Sequence, residues 1–65
     1  MPLLNVKMLS GRSLEQKQEL SQALTRETAR ILGIGPEHIA VVIDEYPPEH
    51  WWIAGVPNAG KGLKK

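Results

Sequence analysis

The sequence predicts an α/β (α+β) fold: one βαβ unit with a short C-terminal strand or hairpin, its sheet completed by oligomerisation. Three observations carry that prediction. An alternating segment at 3–9 and a β-branched segment at 39–45 flank a strongly helical stretch at 14–32. The 65-residue chain has no cysteine, so neither a disulfide nor a thiolate metal site reinforces a small core. Two strands and one helix also cover only one face of a sheet, which leaves the other face for a second copy. Residues 1–65 read as a single domain, without an internal repeat or a linker.

In the first segment, Leu4, Val6 and Met8 share one face at period two, and Asn5 and Lys7 lie on the other. That alternation marks a half-buried strand. Ser10-Gly11-Arg12 turns the chain. Ser13-Leu14-Glu15-Gln16 fits a capping box, with Ser13 as N-cap and Gln16 reaching back. Residues 14–32 are rich in good helix formers. Leu20, Leu24, Thr28 and Ile31 recur at helical spacing, with Ala23 and Leu32 widening the stripe. Gly33 is a natural C-cap. Pro36 suits the opening of a short helical turn.

Ile39-Ala-Val-Val-Ile-Asp-Glu45 reads as a strand buried on both faces, as in parallel sheets. Pro47-Pro48 ends it. A crossover of this length makes the two strands parallel. The tail holds Trp51-Trp52-Ile53-Ala54-Gly55, read as an extended segment or hairpin that packs on a neighbour. Adjacent tryptophans on so small a chain suit an interface or a pocket wall.

Composition excludes several function classes. A formal net charge of +1 argues against a nucleic-acid binder. No apolar run approaches the about 18 residues of a membrane span. Met1-Pro2-Leu3 opens straight into a strand pattern with no signal-peptide layout, so a cytoplasmic homo-oligomer is expected. His38 and His50 are too few and too far apart for a zinc site. Gly55 to Gly62 imitates a phosphate-binding loop, but Gly62 stands where Ser or Thr must hold magnesium, and too few residues follow to form the required helix. Lys61, Lys64 and Lys65 read as a solvated basic tail. Asp44 and Glu45 project to opposite faces of their strand and do not form a paired-carboxylate site.

One residue could carry chemistry. Proline is small enough for the initiator methionine to be removed before it, and Pro2 would then begin the chain as a secondary amine. An α-amino group has a reference pKa of about 7.7–8.0, and an apolar pocket or a nearby cation lowers it. That makes a usable general base near neutral pH. Residue chemistry alone favours the plainer reading, in which Pro2 is no more than a strand's first residue.

The start Met1-Pro2-Leu3, the segment Leu9-Ser10-Gly11-Arg12-Ser13 and the following Glu15-Gln16-Lys17 resemble the 4-oxalocrotonate tautomerase family. So do Asp44-Glu45 and the closing pattern His50-Trp51-x-Ile53-x-Gly55. The resemblance implies a tautomerase-like βαβ fold with a C-terminal hairpin, paired into dimers that assemble as a hexamer. It implies an isomerase in which Pro2 shuttles a proton between an enol oxygen and carbon. Arg12 matches the arginine that binds the substrate's distal carboxylate. Trp51 matches an aromatic pocket wall, and Leu9, His38 and Ile53 match other substrate-lining positions. No metal or organic cofactor is called for, and the implied partner is a small enol or keto acid.

The sequence departs from that pattern at two positions. Ala40 stands where the family carries a second arginine, whose bidentate fork alanine cannot replace. His38 lies two residues upstream and is the nearest substitute. Trp52 stands where the family commonly has glycine. These changes favour a different or smaller substrate, such as the aryl enol phenylenolpyruvate. The alternative reading is a non-catalytic oligomeric binding or scaffold module that has lost the activity.

Overall fold

A computed structural model describes residues 1–58. Strand β1 (Leu3–Leu9) leads through a tight turn into helix α1 (Leu14–Leu32). A 3-10 turn at Pro36–His38 feeds strand β2 (Ala40–Tyr46), and a second at Pro48–His50 precedes strands β3 (Trp52–Ile53) and β4 (Val56–Pro57). β1 and β2 run parallel, with Leu3 opposite Ala40 and Leu9 opposite Tyr46. β3 and β4 form an antiparallel hairpin.

The helix begins and ends where its local chemistry dictates. Ser13 Oγ accepts the Gln16 N–H at 3.1 Å, and Gln16 Oε1 accepts the Ser13 N–H at 3.1 Å. Both halves of the capping box are therefore made. At the other end Gly33 adopts φ 68°, a left-handed conformation that favours glycine, and its N–H reaches Ala29 O at 2.9 Å. Pro36 opens the first 3-10 turn, where its missing N–H costs nothing.

Strand β2 differs from the sequence expectation by one residue. The Ile39 N–H is spent on Pro36 O at 3.1 Å, so the ladder starts with Ala40, whose N–H donates to Pro2 O at 3.1 Å. It runs on to Tyr46, opposite the end of β1. Nor is β2 buried on both faces within one chain: Val42 is 41% exposed.

Side-chain parity explains this. Register partners project to the same side of a sheet. Leu4, Val6 and Met8 share the helix-covered face with Val41, Ile43 and Glu45, and the Lys17 ammonium meets Glu45 Oε1 there at 3.0 Å. Leu3, Asn5, Lys7 and Leu9 share the open face with Ala40, Val42, Asp44 and Tyr46. Leu20, Leu24 and Thr28 are half-buried against the sheet, whereas Ile31 and Leu32 have run past its end and stand exposed.

No described side chain is fully buried. Two layers with nothing on the third side enclose no core. Leu3, Val42, Trp52, Ile53 and Val56 all remain exposed in the single chain.

Candidate functional site

The sequence-identified residues fall at opposite ends of the two-stranded sheet. Pro2 stands half-buried at the start of β1, beside Ala40 at the start of β2. His38 ends the 3-10 turn just before Ala40 and is exposed, with Nε2 3.6 Å from the Glu37 carboxylate. This end carries the proline and an imidazole, with Ala40 at the position where the resemblance expects an arginine.

The opposite end gathers the rest. Seven residue steps of about 3.3 Å put Pro2 about 23 Å from Leu9 along β1. Leu9 pairs with Tyr46 there. Ser10 clamps the corner, donating both its N–H and its hydroxyl to Tyr46 O at 2.9 Å. Arg12 follows in the turn and lines a cleft of about 190 Å³ with Met8, Gln16, Lys17 and Leu20. Arg12 is exposed and its guanidinium suits a carboxylate, whereas Lys17 is already paired with Glu45 at 3.0 Å.

Trp51 reaches this end through the second 3-10 turn. Its N–H bonds Pro48 O at 3.1 Å, and its carbonyl accepts the Asn58 N–H at 2.8 Å, closing the hairpin. Its ring meets Tyr46 edge-on, with centroids 6.2 Å apart and an interplanar angle of 66°. The hairpin turns on Ala54 and Gly55, both with positive φ, as a two-residue turn of this hand requires. Ile53, on β3, is 60% exposed.

Sequence reasoning did not single out Tyr46; it placed Lys7 on the strand face away from Leu4, Val6 and Met8, as a surface residue with an anion as its secondary role, and read Asp44 as a strand-end polar group. Lys7 Nζ donates to Tyr46 Oη at 3.1 Å and to Asp44 Oδ2 at 3.2 Å, and Asn5 Nδ2 donates to the same Asp44 oxygen at 3.0 Å. Hydrogen bonding to the Tyr46 hydroxyl, and then to Asp44, raises the Lys7 ammonium above its ordinary range. The Asn5 amide first, and Lys7 second, hold the Asp44 carboxyl below its ordinary range. Lys7, Tyr46, His50, Trp51 and Trp52 line a cleft of about 280 Å³. The parity of Asn5 and Lys7 in β1 was the only available signal. Their partners depend on a register that no short motif encodes.

Among the described residues no three His, Asp or Glu side chains come together as a metal site, and no helix is long and apolar enough to cross a membrane. The second half of the glycine-rich segment and the Lys61, Lys64 and Lys65 tail lie outside the described residues.

Residues 2–59 match the family model described as tautomerase enzyme. The chain belongs to the tautomerase family. It is 41% identical over 59 residues to a probable tautomerase of Ralstonia nicotianae, covering 91% of this chain and 84% of that one. It is 43% identical over 56 residues to a probable tautomerase of Staphylococcus aureus, covering 86% and 92%. Among solved structures, it superimposes with a TM-score of 0.87 on a heterohexamer 4-oxalocrotonate tautomerase from Chloroflexus aurantiacus, at 40% identity, covering 92% of this chain and 97% of that one. The βαβ unit with its short C-terminal hairpin is the fold of these tautomerases.

Proposed function

We propose that this tautomerase is a cofactor-independent isomerase that interconverts the enol and keto forms of a 2-hydroxydienoate or 2-oxo acid, with Pro2 as general base. One observation carries the reading beyond family membership. Pro2 and the Arg12–Trp51 end lie at opposite ends of one strand, about 23 Å apart by strand rise, so neither end is a site by itself. A second protomer lying antiparallel brings Pro2 of one chain to the Arg12 end of the other. The assembly proposed is a homohexamer built as a trimer of dimers.

The chemistry follows from the groups. Once Met1 is removed, the Pro2 nitrogen is a secondary amine with a ring-fixed direction. While Met1 is attached, that nitrogen is an amide and has no basicity. The free amine takes the enol hydroxyl proton and returns it to carbon as the carbonyl forms. Arg12 holds the substrate's carboxylate and draws electron density toward it. Leu9, Trp51 and Ile53 supply apolar wall, which disfavours the charged amine and keeps it a base near neutral pH. His38, next to Ala40, is the polar group nearest the position of the missing second arginine.

Ala40 favours a second reading, an assembled binding module without turnover. One assay separates the two. Ketonisation of phenylenolpyruvate is followed by ultraviolet absorbance, with protein whose mass confirms loss of Met1, beside Pro2→Ala. Activity that disappears in the variant while the oligomer persists supports the proline base. Equal background rates in both proteins favour the binding module.

A further inference from the structure

The open face of the sheet carries a cleft whose polar end is incompletely spent. A lysine ammonium has three N–H donors. Lys7 uses one on Asp44 Oδ2 and one on Tyr46 Oη. Among the described residues nothing accepts the third. The Tyr46 hydroxyl is an acceptor in its bond to Lys7, which leaves its own proton to donate, and no described group takes that proton. Two donors whose heavy atoms lie 3.1 Å apart therefore border the same cleft.

The surroundings hold these donors in place. Asn5 donates to the same Asp44 oxygen, so the carboxylate is held in place and anchors the Lys7 ammonium without consuming all of its donors. The Tyr46 ring is braced edge-on by Trp51. Trp51 and Trp52 supply aromatic wall, and His50 lines the cleft with them. A volume of about 280 Å³ lies at the small end of ligand sites and suits one aromatic ring with a short acid group. The titratable groups facing the donors are Asp44 and His50.

We propose that Lys7 and Tyr46 form a two-donor subsite for the anionic oxygen of an aromatic 2-oxo or enol acid, whose ring lies against Trp51 and Trp52. The subsite deepens the tautomerase reading and rests on it for its role in turnover. Two hydrogen bonds to the carboxylate oxygen next to the reacting enol do part of the work of the arginine absent at Ala40, holding the acid in place as the enol proton moves. No bond to Lys7 or Tyr46 forms or breaks: the proton moves only between substrate and Pro2.

The subsite is tested apart from turnover. Two probes share a ring and cannot tautomerise: 3-phenylpropionate, which carries the acid, and 3-phenylpropanol, which does not. Each is titrated into the assembled wild-type protein and followed by tryptophan fluorescence. The wild type is expected to prefer the acid by about tenfold, as a charge-assisted pair of bonds requires. Tyr46→Phe keeps the ring against Trp51 and removes the donor. Lys7→Met removes the cation. Each is expected to erase most of the preference while alcohol binding and the oligomer persist.

An acid preference that survives in both variants, or no preference in the wild type, overturns the subsite. With phenylenolpyruvate, Tyr46→Phe is expected to lower kcat about tenfold or more, and an unchanged kcat overturns the proposed part in turnover. If the wild type shows the acid preference yet turns over no enol and ignores Pro2→Ala, the tautomerase reading fails and the subsite stands. If Pro2→Ala abolishes turnover while the Lys7 and Tyr46 variants match the wild type throughout, the subsite fails and the tautomerase reading stands.

Discussion

The two ends of the sheet are chemically unlike. At one end Pro2 sits beside Ala40 and an exposed His38. At the other, Arg12 and Lys17 line a cleft on the helix-covered side, and Lys7, Tyr46 and Trp51 line another on the open face. One end offers a potential base and little to hold an acid. The other offers cations and aromatic wall and no amine to take a proton. A strand of seven residues holds these two chemistries about 23 Å apart, farther than one small acid reaches. On the function proposed above, a partner supplies the opposite end.

The sharpest way to break that comparison is to disable each end in a separate chain. Pro2→Ala and Arg12→Ala are each expected to lose about 10²–10⁴ in kcat/KM, the range for a lost base or a lost charge stabiliser. Refolded together, the two inactive proteins are expected to recover about a quarter of the wild-type rate. Half of the randomly mixed pairs are heterologous, and one of the two sites in each such pair keeps both residues. A mixture as inactive as its parents would place Pro2 and Arg12 in one chain's site and dissolve the comparison. Phenylenolpyruvate turnover before and after mixing is the measurement.

Ala40→Arg asks whether the proline end can be made to hold an acid. Restoring a guanidinium beside Pro2 is expected to raise kcat/KM for a dicarboxylate dienol about tenfold, the worth of one charge-assisted bond, and to leave the aryl enol unchanged or slower. The ratio of the two substrates checks this. A gain on both would mean that the missing arginine limits catalysis generally and does not set the choice of substrate.

What was legible in the sequence follows the range of the interactions concerned. Ser13, Gln16 and Gly33 fixed the helix because caps are built from residues three or four apart. The period-two pattern of Leu4, Val6 and Met8 gave β1 its faces for the same reason. The start of β2 was one residue off because the Ile39 N–H is diverted to Pro36 O, a competition that the β-branched run does not reveal. Ile31 and Leu32 continue the apolar stripe on paper yet stand exposed, since the helix outruns a sheet of only two strands.

The site was legible residue by residue and much less so as an arrangement. Counting along β1 already separates Pro2 from Arg12. The meeting of Lys7 with Tyr46 could not be counted, because it depends on the parallel register that sets Lys7 opposite Asp44 and Leu9 opposite Tyr46. Trp51 reaches Tyr46 only through the turn at Pro48–His50, whose path is set by backbone bonds and not by hydrophobic pattern.

A smaller effect probes the Arg12 turn. Ser13→Ala removes the acceptor of the Gln16 N–H and is expected to cost about 1 kcal/mol of stability, with Ser13→Gly costing only a few tenths. Urea midpoints at one fixed protomer concentration measure it, since association contributes to stability by mass action. The next residue upstream is Arg12, so a loosened cap is also expected to raise KM more than it lowers kcat.

The smallest expected effect is an absence of change with pH. Asp44 is held below its ordinary range by Asn5 and Lys7. Its contribution is therefore fully present above the unfolded carboxylate value and is lost only as pH falls through the depressed folded one. Lys7 is raised, so its contribution is complete below the ordinary lysine value and is lost only as pH rises through the raised one. Between about pH 5 and about pH 9 neither group changes charge in either state. The stability difference between wild type and Asp44→Asn is expected to stay constant across that window and to shrink in stronger acid, where the native carboxylate is finally protonated. Urea midpoints at three pH values inside the window and one below it decide this. A difference that drifts inside the window would mean that the pair senses a third titrating group. His50 lines the same cleft, so repeating the series in His50→Gln would assign the drift. A flat line in both backgrounds leaves Lys7 charged and anchored at every pH where a tautomerase with a proline base has to work.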